Sequence, residues 1–563
     1  MRIIICFFAI LIMMVTQASA QWMSQAGFVP GGQKRLFLDG TYEKAPFKIL
    51  DGSGKEVFSG VTTAKKYWPH SGTQVCVADF SALNQEQSYT MVVEGVGGNF
   101  AFAIQGELYR EVGSSLMKSF YMARASEKIL PAYAGEYARA AGHPDDHVLI
   151  HASAASPARP EGTVINSPGG WYDAGDYNKY IVNSSITTYS LLHLYELFSS
   201  HLGAINLNIP ESDNQVADLL DETLYNLRWM LTMQDPNDGG VYHKLTSKTF
   251  CGMVMPHQDQ LPRYVVMKTT SATLGFAATM AKASRVLKPL GGSYAALSET
   301  CLKAAQAAWK WAQSHPDTFY QQPSDIKTGP YPDQHLKDEF EWAGMELLLS
   351  TGNKQYKNNG WSKTKLLLPS WGSVNTLGVY SLVADKSQTV SQSEKDLLYK
   401  KLLKMADRYC TIYEESAFHI PAEDFPWGSN SELCNQAILL MHAYLITKED
   451  KYLAAADACT SYLLGANPTG YCFITGFGTK QPMFVHDRRC SADQIEAPIP
   501  GLMVGGPSTK ARKDCGEENY SSKFPALSYV DMACSYSTNE VAINWNSAAV
   551  FLFLGLDAIN SSK

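Results

Sequence analysis

The sequence predicts a mainly α-helical protein, a helical toroid preceded by a small all-β sandwich. Short runs of alternating apolar and polar side chains fill the region up to residue 105. Helical periodicity begins near Leu108 and continues to the end of the chain. Long loops rich in aromatic and acidic residues separate the helical segments, as expected of functional loops on a rigid scaffold. The chain has 563 residues, which is too long for one ordinary domain.

The predicted β domain covers residues 21–105. Its strand candidates are short and are separated by turns such as Asp51-Gly52-Ser53-Gly54. Strands of this length and spacing predict a small sandwich. The candidates are residues 35–38, 47–50, 57–58, 74–80, 89–93 and 100–104.

The predicted helical domain covers residues 106–563. The clearest helix repeats apolar residues at i, i+3 and i+4 through Leu220, Leu224 and Leu227. Strand-like alternation is not evident here, which favours an all-helical toroid over an α/β fold. The helical segments are residues 108–127, 183–199, 213–234, 269–287, 294–314, 338–351, 373–384, 394–414, 430–447, 450–464 and 543–558.

The charge balance argues against nucleic acid as a partner. The chain has 47 basic and 54 acidic residues, a net charge of −7, whereas a phosphate-binding surface needs a basic excess or stripe. The densest basic run, Lys510-Ala511-Arg512-Lys513, is interpreted as a solvated loop.

The first 20 residues are predicted to be a secretory signal peptide. Arg2 supplies the positive start, residues 3–15 the apolar run, and Ala18-Ser19-Ala20 the cleavage site. The mature chain would begin near Gln21 and lacks an apolar run of about 20 residues. We therefore expect a soluble protein without a membrane span, secreted or periplasmic, and we find no lipoprotein box.

Export permits disulfides, and the chain has 11 cysteines. Cys490, Cys515 and Cys534 share a loop-rich region, and Cys515 with Cys534 is the candidate bridge. No C-x-x-C pair is present, which argues against a zinc ribbon or a redox motif. Five others lie in or near helical patterns and are predicted to be small core residues: Cys251, Cys301, Cys410, Cys434 and Cys459.

The stretch 170–180 carries the strongest chemical signal. Asp173 and Asp176 lie three residues apart in a glycine-rich turn. Aromatic faces stack on sugar rings, and paired carboxylates perform glycosidic acid–base chemistry. Taken alone, the two aspartates could equally cap a helix or bind calcium. The neighbouring aromatic and amide residues, Trp171, Tyr172, Tyr177, Asn178 and Tyr180, favour a carbohydrate cleft, and of these Trp171 and Tyr177 are predicted to bind substrate.

A second acidic position, Glu540, lies far downstream. The spacing Ser537-x-x-Glu540 matches a capping box for a helix from Val541 onwards, which would make Glu540 structural. Capping does not exclude catalysis, however. Apolar neighbours such as Ile543 and Trp545 would raise the pKa of Glu540, as a general acid requires.

His486 and Arg488 follow a glycine-rich loop and could hydrogen-bond sugar hydroxyls. The alternative is a surface loop with an ion pair, and no second histidine stands at metal-ligand spacing. Elsewhere, Asp221 or Glu222 is a candidate calcium ligand. Three tryptophans could be either core residues or sugar platforms: Trp342, Trp371 and Trp427.

Together these residues resemble glycoside hydrolase family 9, the inverting cellulases, over nearly the whole mature chain. Asp173-Ala174-Gly175-Asp176 resembles the family's DAGD element. Asn539-Glu540-Val541-Ala542 opens a segment similar to the one that carries the family's general acid. The stretch from Tyr471 through His486 and Arg488 is similar to the other signature. Gln25-Ala26-Gly27-Phe28 resembles the start of an immunoglobulin-like domain that precedes some members.

The resemblance implies an (α/α)6 barrel behind an immunoglobulin-like sandwich. It implies Glu540 as general acid, Asp176 as general base and Asp173 as its assistant, with inversion. His486, Arg488 and Tyr536 would position the sugar.

The implied substrate is a cellulose-like β-1,4-glucan. Xyloglucan and mixed-linkage glucan stay open as targets, as does a binding protein that has lost catalysis. We expect a monomer and no required cofactor, with structural calcium as an option and the metal ligands unknown. A zinc site that some relatives have near His143 and His147 is not expected, because no cysteine occurs between Cys76 and Cys251.

Overall fold

A computed structural model describes residues 21–357, 360–361, 363–509, 514–520 and 522–563. The predicted signal peptide and the basic run at residues 510–513 lie outside the described residues. The first sheets and the helices meet between Ile104 and Leu108, where the sequence pattern changes. No helix in the described residues is long and apolar enough to cross a membrane.

The N-terminal region is a sandwich of two four-stranded sheets, with strand orders β1-β2-β6-β5 and β4-β3-β7-β8. Every predicted strand is present, and β1 and β5 are additional. The strands are β1 (Gln21–Trp22), β2 (Arg35–Asp39), β3 (Pro46–Leu50), β4 (Glu56–Val61), β5 (Lys66–Trp68), β6 (Thr73–Asp79), β7 (Gln87–Val93) and β8 (Phe100–Ile104).

Alternation along β2 explains how the sandwich attaches to the helices. Leu36 and Leu38 point into the core between the two sheets, whereas Phe37 points to the opposite face. Phe37 stacks on Phe418 of the helical region with ring centroids 5.1 Å apart, and Trp68 approaches the same ring to 4.8 Å. One sheet is therefore apolar on both faces, and it braces the helical body.

The helical segments predicted from periodicity are all present, with ends that differ by a few residues. Pro131–Ala134 and Arg488–Ala492 are two further short helices. The helices are α1 (Leu108–Ala123), α2 (Pro131–Ala134), α3 (Ile181–Leu202), α4 (Asp218–Thr232), α5 (Thr270–Leu287), α6 (Gly292–Ser314), α7 (Lys337–Thr351), α8 (Asn375–Ala384), α9 (Gln392–Glu415), α10 (Ser429–Thr447), α11 (Asp450–Leu463), α12 (Arg488–Ala492) and α13 (Ile543–Ser561).

Six helices form a closed inner ring in the order α3, α5, α7, α8, α10 and α13. Each packs against the next, and α13 returns to α3. These helices are buried on nearly all sides, as expected of an inner layer. The amphipathic helices α1, α4, α6, α9 and α11 pack outside them. The predicted helical toroid is confirmed.

A small sheet inside the helical region was not predicted. Its strands are two or three residues long, too short to show a period of two in the sequence. The strand order is β10-β9-β13-β12-β11. The strands are β9 (Val148–Ile150), β10 (Val164–Ile165), β11 (Lys179–Tyr180), β12 (Lys244–Thr246) and β13 (Tyr264–Val265).

The predicted bridge between Cys515 and Cys534 is confirmed. Cys251 is only half-buried, which departs from its predicted core position. The other predicted core cysteines are buried: Cys301, Cys410, Cys434 and Cys459.

Candidate active site

A cavity of about 780 Å³ opens on the helical body, and the predicted acidic residues meet there. Asp173 and Asp176 come from the turn before β11, whereas Glu540 comes from the segment before α13. The other predicted residues that line this cleft are His486, Arg488 and Tyr536.

Gly175 joins these separate segments. A Cβ at this position would lie 2.3 Å from the His486 carbonyl oxygen, so only glycine fits. The Gly175 carbonyl accepts hydrogen bonds from the Arg488 backbone N–H at 3.2 Å and from Arg488 Nη1 at 2.5 Å. The glycine of the motif is thus a contact point between the two halves of the site.

Asp173 is held at both carboxylate oxygens. Asn183 Nδ2 donates to Oδ1 at 2.5 Å, and the Tyr331 hydroxyl donates to Oδ2 at 2.7 Å. Burial, followed by the nearby charge of Asp176, raises the pKa of Asp173 to about 7. Asp173 is therefore fixed in orientation, and its carboxyl group binds a proton more readily than an exposed aspartate does.

Asp176 is held at one oxygen only. Asn178 Nδ2 and the Tyr180 hydroxyl, the latter at 3.0 Å, both donate to Oδ2. Oδ1 has no hydrogen bond to any described residue, and Asp176 is one of the residues that line the cleft. An oriented carboxylate with one open oxygen can accept a proton from water.

Glu540 precedes α13 instead of capping it, which corrects the capping-box interpretation. The helix begins at Ile543 with Ala542 at its N-cap, and the Ser537 N–H donates to Asp514 Oδ2 at 2.8 Å. A turn at residues 536–538 precedes Glu540, which pairs with His486 in an isolated parallel β-bridge. The spacing matched, but a box with Ser537 as N-cap would start the helix at Thr538, five residues before it begins.

The pKa of Glu540 is raised well above its usual range. Burial is the main cause, followed by the charges of Asp176 and Asp173, and a backbone hydrogen bond from Gly175 and the charge of Arg488 offset part of the effect. A carboxyl group in this setting keeps its proton near neutral pH and can donate it.

His486 and Arg488 present polar groups to the cleft. His486 Nδ1 lies 2.6 Å from the Ala533 carbonyl, which can only accept, so Nδ1 carries the proton. Burial lowers the pKa of His486, which favours a neutral ring with Nε2 as an acceptor. The ion pair considered in this loop does exist, but Asp487 and Arg489 form it, and it is buried.

Trp171 and Tyr177 do not line the cleft, contrary to prediction. Trp171 is fully buried, where Nε1 donates to Glu222 Oε1 at 2.8 Å. The Tyr177 hydroxyl donates to the Val254 carbonyl at 2.7 Å, and its ring packs on Tyr172. These aromatics anchor the aspartate turn to the scaffold, because their rings face the protein interior.

Other aromatic residues form the cleft walls. Trp371 and Trp427 line the cavity, and Trp427 lies beside Tyr536 with ring centroids 5.6 Å apart. Trp342 is a core residue, 1% exposed. Sequence reasoning missed Tyr331, which lines the cleft and binds Asp173. Its loop has no local motif that would have singled it out.

Comparison with protein families settles the relationship. The model for glycosyl hydrolase family 9 matches residues 109–553, and a cellulase N-terminal Ig-like domain matches residues 19–98. The chain belongs to glycosyl hydrolase family 9. The predicted family, fold class and enzyme class, a glycoside hydrolase that cleaves β-1,4-glucosidic bonds, are confirmed.

Two curated relatives of this family-9 enzyme align with nearly all of the chain. A xyloglucan-specific endo-β-1,4-glucanase from Bacteroides ovatus is 43% identical over 95% of this chain and 93% of its own. Endoglucanase D from Acetivibrio thermocellus is 30% identical over 96% of this chain and 81% of its own.

Solved structures agree with these matches. A family-9 structure from Bacteroides ovatus has a TM-score of 0.89 at 42% identity, covering 96% of this chain and 99% of that one. A mutant thermostable endoglucanase from Alicyclobacillus acidocaldarius has a TM-score of 0.86 at 30% identity, with coverage of 96% and 99%.

The suggested calcium ligands of the family-9 enzyme do not fit a cation. Both Glu222 oxygens accept from Arg124 Nε at 3.0–3.1 Å, and Asp221 accepts from Asn214. Both Glu222 oxygens are therefore engaged by protein donors, and Asp221 Oδ2 is engaged by Asn214. Across the described residues, no group of three or more His, Cys, Asp or Glu side chains is arranged to hold a metal ion.

Proposed function

We propose that this family-9 enzyme is an endo-acting β-1,4-glucanase that inverts the anomeric carbon, with Glu540 as general acid and Asp176 as general base. The proposal rests on the contrast between two carboxyl groups that line the same cleft, Glu540 and Asp176. Glu540 has a pKa raised well above its usual range, whereas Asp176 is oriented through Oδ2 and has an open Oδ1. One group holds a proton for the leaving oxygen, and the other can take one from water.

In this mechanism Glu540 protonates the glycosidic oxygen as the bond to the anomeric carbon breaks. Asp176 removes a proton from water, which attacks the opposite face of the sugar in the same step. Asp173, fixed by Asn183 and Tyr331, orients that water. No covalent intermediate forms, and the configuration inverts.

Xyloglucan is our preferred candidate among the β-1,4-glucans. The Bacteroides ovatus relative that supports it carries that substrate in its name and aligns over nearly all of both chains. The cleft also suits a decorated chain, because Trp427 is 46% exposed and Tyr536 is 42% exposed at its wall. Such rings can stack on a backbone while its branches stay in solvent.

Reducing-sugar release from carboxymethylcellulose, mixed-linkage glucan and xyloglucan tests this proposal. We expect the fastest release from xyloglucan, release slowed by roughly 10²- to 10⁴-fold in Glu540→Gln, and an inverted product anomer by NMR in the first minutes. Glu423→Gln, a partly exposed glutamate paired with Arg408, is the matched control and should keep full activity. Full activity of Glu540→Gln would contradict the assigned acid, and release from no polymer would leave an exo-acting enzyme or a binding protein.

We also propose that the chemistry requires no cofactor and that the enzyme is a monomer exported through its N-terminal 20 residues. Light scattering tests the monomer, the intact mass of the secreted protein tests removal of residues 1–20, and full activity after dialysis against EDTA would be expected if no metal cofactor is needed. Structural calcium, which the sequence left open, would be detected as stabilisation of the fold by the ion. A higher unfolding temperature in calcium than in EDTA would support it.

A further inference from the structure

Two adjacent polar side chains, His243 and Lys244, lie fully buried behind one wall of the cleft, at the start of β12. Neither lines the cavity. Burying an ammonium group is costly unless its hydrogen bonds are satisfied. Burial lowers the pKa of Lys244 to about 7, which records that cost. We therefore expect the buried pair to have a function.

Both side chains bind one short stretch of backbone. Lys244 Nζ donates to the Gly329 carbonyl at 2.7 Å, to Thr328 Oγ1 at 3.0 Å and to the Thr328 carbonyl at 3.4 Å. His243 Nε2 lies 2.9 Å from the Pro330 carbonyl, which can only accept. Three consecutive carbonyls are thus held by two consecutive residues, and we call this the carbonyl clamp.

The clamped backbone has no other regular support. In the described part of the chain, no backbone N–H donates to the carbonyls of Thr328, Gly329 or Pro330. Gln322 Nε2 supplies one more side-chain donor, to the Thr328 carbonyl at 2.8 Å. The position of this stretch therefore depends on side chains.

The residue after the clamp is Tyr331, which binds Asp173. Its φ angle is +42°, a left-handed conformation that is unfavourable for a bulky residue. Its ring is held edge-on by Tyr180, with centroids 4.8 Å apart, and by Trp371 at 5.3 Å. Such a conformation persists only where its surroundings enforce it.

We propose that His243 and Lys244 are positioning residues for hydrolysis, which hold residues 328–330 so that Tyr331 keeps its hydroxyl on Asp173. This inference rests on the proposed function, because the proposed mechanism has Asp173 orient the attacking water. Without the clamp, Tyr331 relaxes from its left-handed conformation, and Asp173 Oδ2 loses its donor. Substrate contacts at Trp427 and Tyr536 belong to other segments and stay in place.

Lys244→Met tests the clamp on the full-length enzyme. We expect kcat on xyloglucan to fall about 10- to 100-fold, as misplacement of a supporting group does, while KM changes less than about twofold. The double variant with Tyr331→Phe should be no slower than the slower single variant, because both changes remove one function. His243→Gln keeps a donor near Pro330 and should retain most of kcat.

Lys34→Met is the matched control. Lys34 is also fully buried and binds backbone carbonyls, those of Gly32 at 2.9 Å and Ser81 at 3.3 Å, but it lies in the sandwich. It should lower the unfolding temperature and leave kcat per folded molecule unchanged.

Two results would overturn the clamp. One is a kcat of the double variant that falls by the product of the two single losses. The other is a Lys244→Met enzyme that, like Lys34→Met, is less stable but keeps its kcat per folded molecule. If Lys244→Met does not fold, His243→Leu combined with Tyr331→Phe gives the same cycle. Activity of Glu540→Gln would overturn the proposed function instead, whatever the cycle shows.

Discussion

The cleft and the interior of the helical ring both bury charged groups, and they treat them in opposite ways. In the interior, Lys282 and Arg285 bind Glu196, and Arg285 Nη2 also binds Glu346 at 2.8 Å. We call these residues, with His193 and His442, the ring network. In the cleft, three carboxylates lie near one another, and the nearby Arg488 donates to the backbone carbonyls of Gly175 and Cys251.

Protons in the ring network have one consistent arrangement. Lys282 Nζ donates to His193 Nδ1 at 2.9 Å, so His193 Nε2 carries the proton that it donates to His442 Nε2 at 2.9 Å. His442 Nδ1 then donates to the Ile438 carbonyl at 2.8 Å. Both rings are neutral, and burial lowers both pKa values, that of His442 to about 3.

The difference shows that the two regions have different roles: the ring network stabilises the fold, and the cleft carries the reactive groups. Where each charge has a partner, burial fixes the fold and the ionisation states. Where like charges are left together, burial raises carboxyl pKa values and creates a reactive site at some cost in stability. The predictions below test whether activity and stability divide between these two regions.

The largest expected effect concerns the cleft. Glu540→Gln and Asp176→Asn should each lower kcat by roughly 10²- to 10⁴-fold, the usual contribution of a general acid or base. Neither should lower the unfolding temperature, because each replaces a carboxyl group by an amide of similar size. Steady-state rates and thermal unfolding of the same preparations measure both. A large loss of folded protein would mean that the cleft carboxylates are structural.

Lys282→Met should lower stability and leave activity nearly unchanged. It leaves Glu196 and His193 without their shared partner, and breaking such a buried pair costs about 3–5 kcal/mol of unfolding free energy. Activity per folded molecule should stay within about twofold, since no part of the ring network lines the cleft. Urea unfolding with active-site titration separates the two quantities, and a selective fall in kcat would contradict the division.

The two regions should also respond to pH in opposite directions. The Asp173 pKa is near 7 in the folded protein and about 3.8 when unfolded, so the folded state binds more protons between these values. Stability from this group is present below about pH 4 and is lost as pH rises towards 7. Asp173→Asn should remove that loss, of the order of 4 kcal/mol. Unfolding curves from pH 4 to 8 measure it, and equal slopes in both proteins would refute the assignment.

His442 should give the opposite slope. Its pKa is near 3 when folded and about 6.5 when unfolded, so stability falls as pH drops below 6.5. His442→Gln retains hydrogen-bonding groups and cannot titrate, so it should flatten the acid side of the curve. The test is the same pH series, and an unchanged acid slope would argue that His442 does not titrate on unfolding.

The smallest expected effect is on substrate affinity. Trp427→Ala should raise KM for xyloglucan several-fold, because a stacked ring contributes about 1 kcal/mol, with little change in kcat. Trp171→Phe should leave KM unchanged and lower stability, since its indole binds buried Glu222. Equal effects on KM would restore the substrate role first predicted for Trp171.

Sequence reasoning succeeded where the chemistry is local. The spacing of Asp173 and Asp176 and the environment of Glu540 are visible in short motifs, and helical periodicity predicted the ring. Sequence reasoning failed where the role of a residue depends on the direction of its side chain, since no motif shows that Trp171 faces inward. The carbonyl clamp joins residues 87 positions apart, such as His243 and Pro330, and Tyr331 binds Asp173 across 158 positions. Such pairs have no signature in a single sequence.

The junction at Gly175 has a consequence for biosynthesis. The backbone of Asp173 accepts a hydrogen bond from the Ile543 N–H at 2.8 Å, and Gly175 packs on His486. The aspartates are translated more than 300 residues before these partners. A chain made only as far as His486 still lacks Glu540 and Ile543, so the acid and the base cannot be brought together before this late segment folds back onto the aspartate turn.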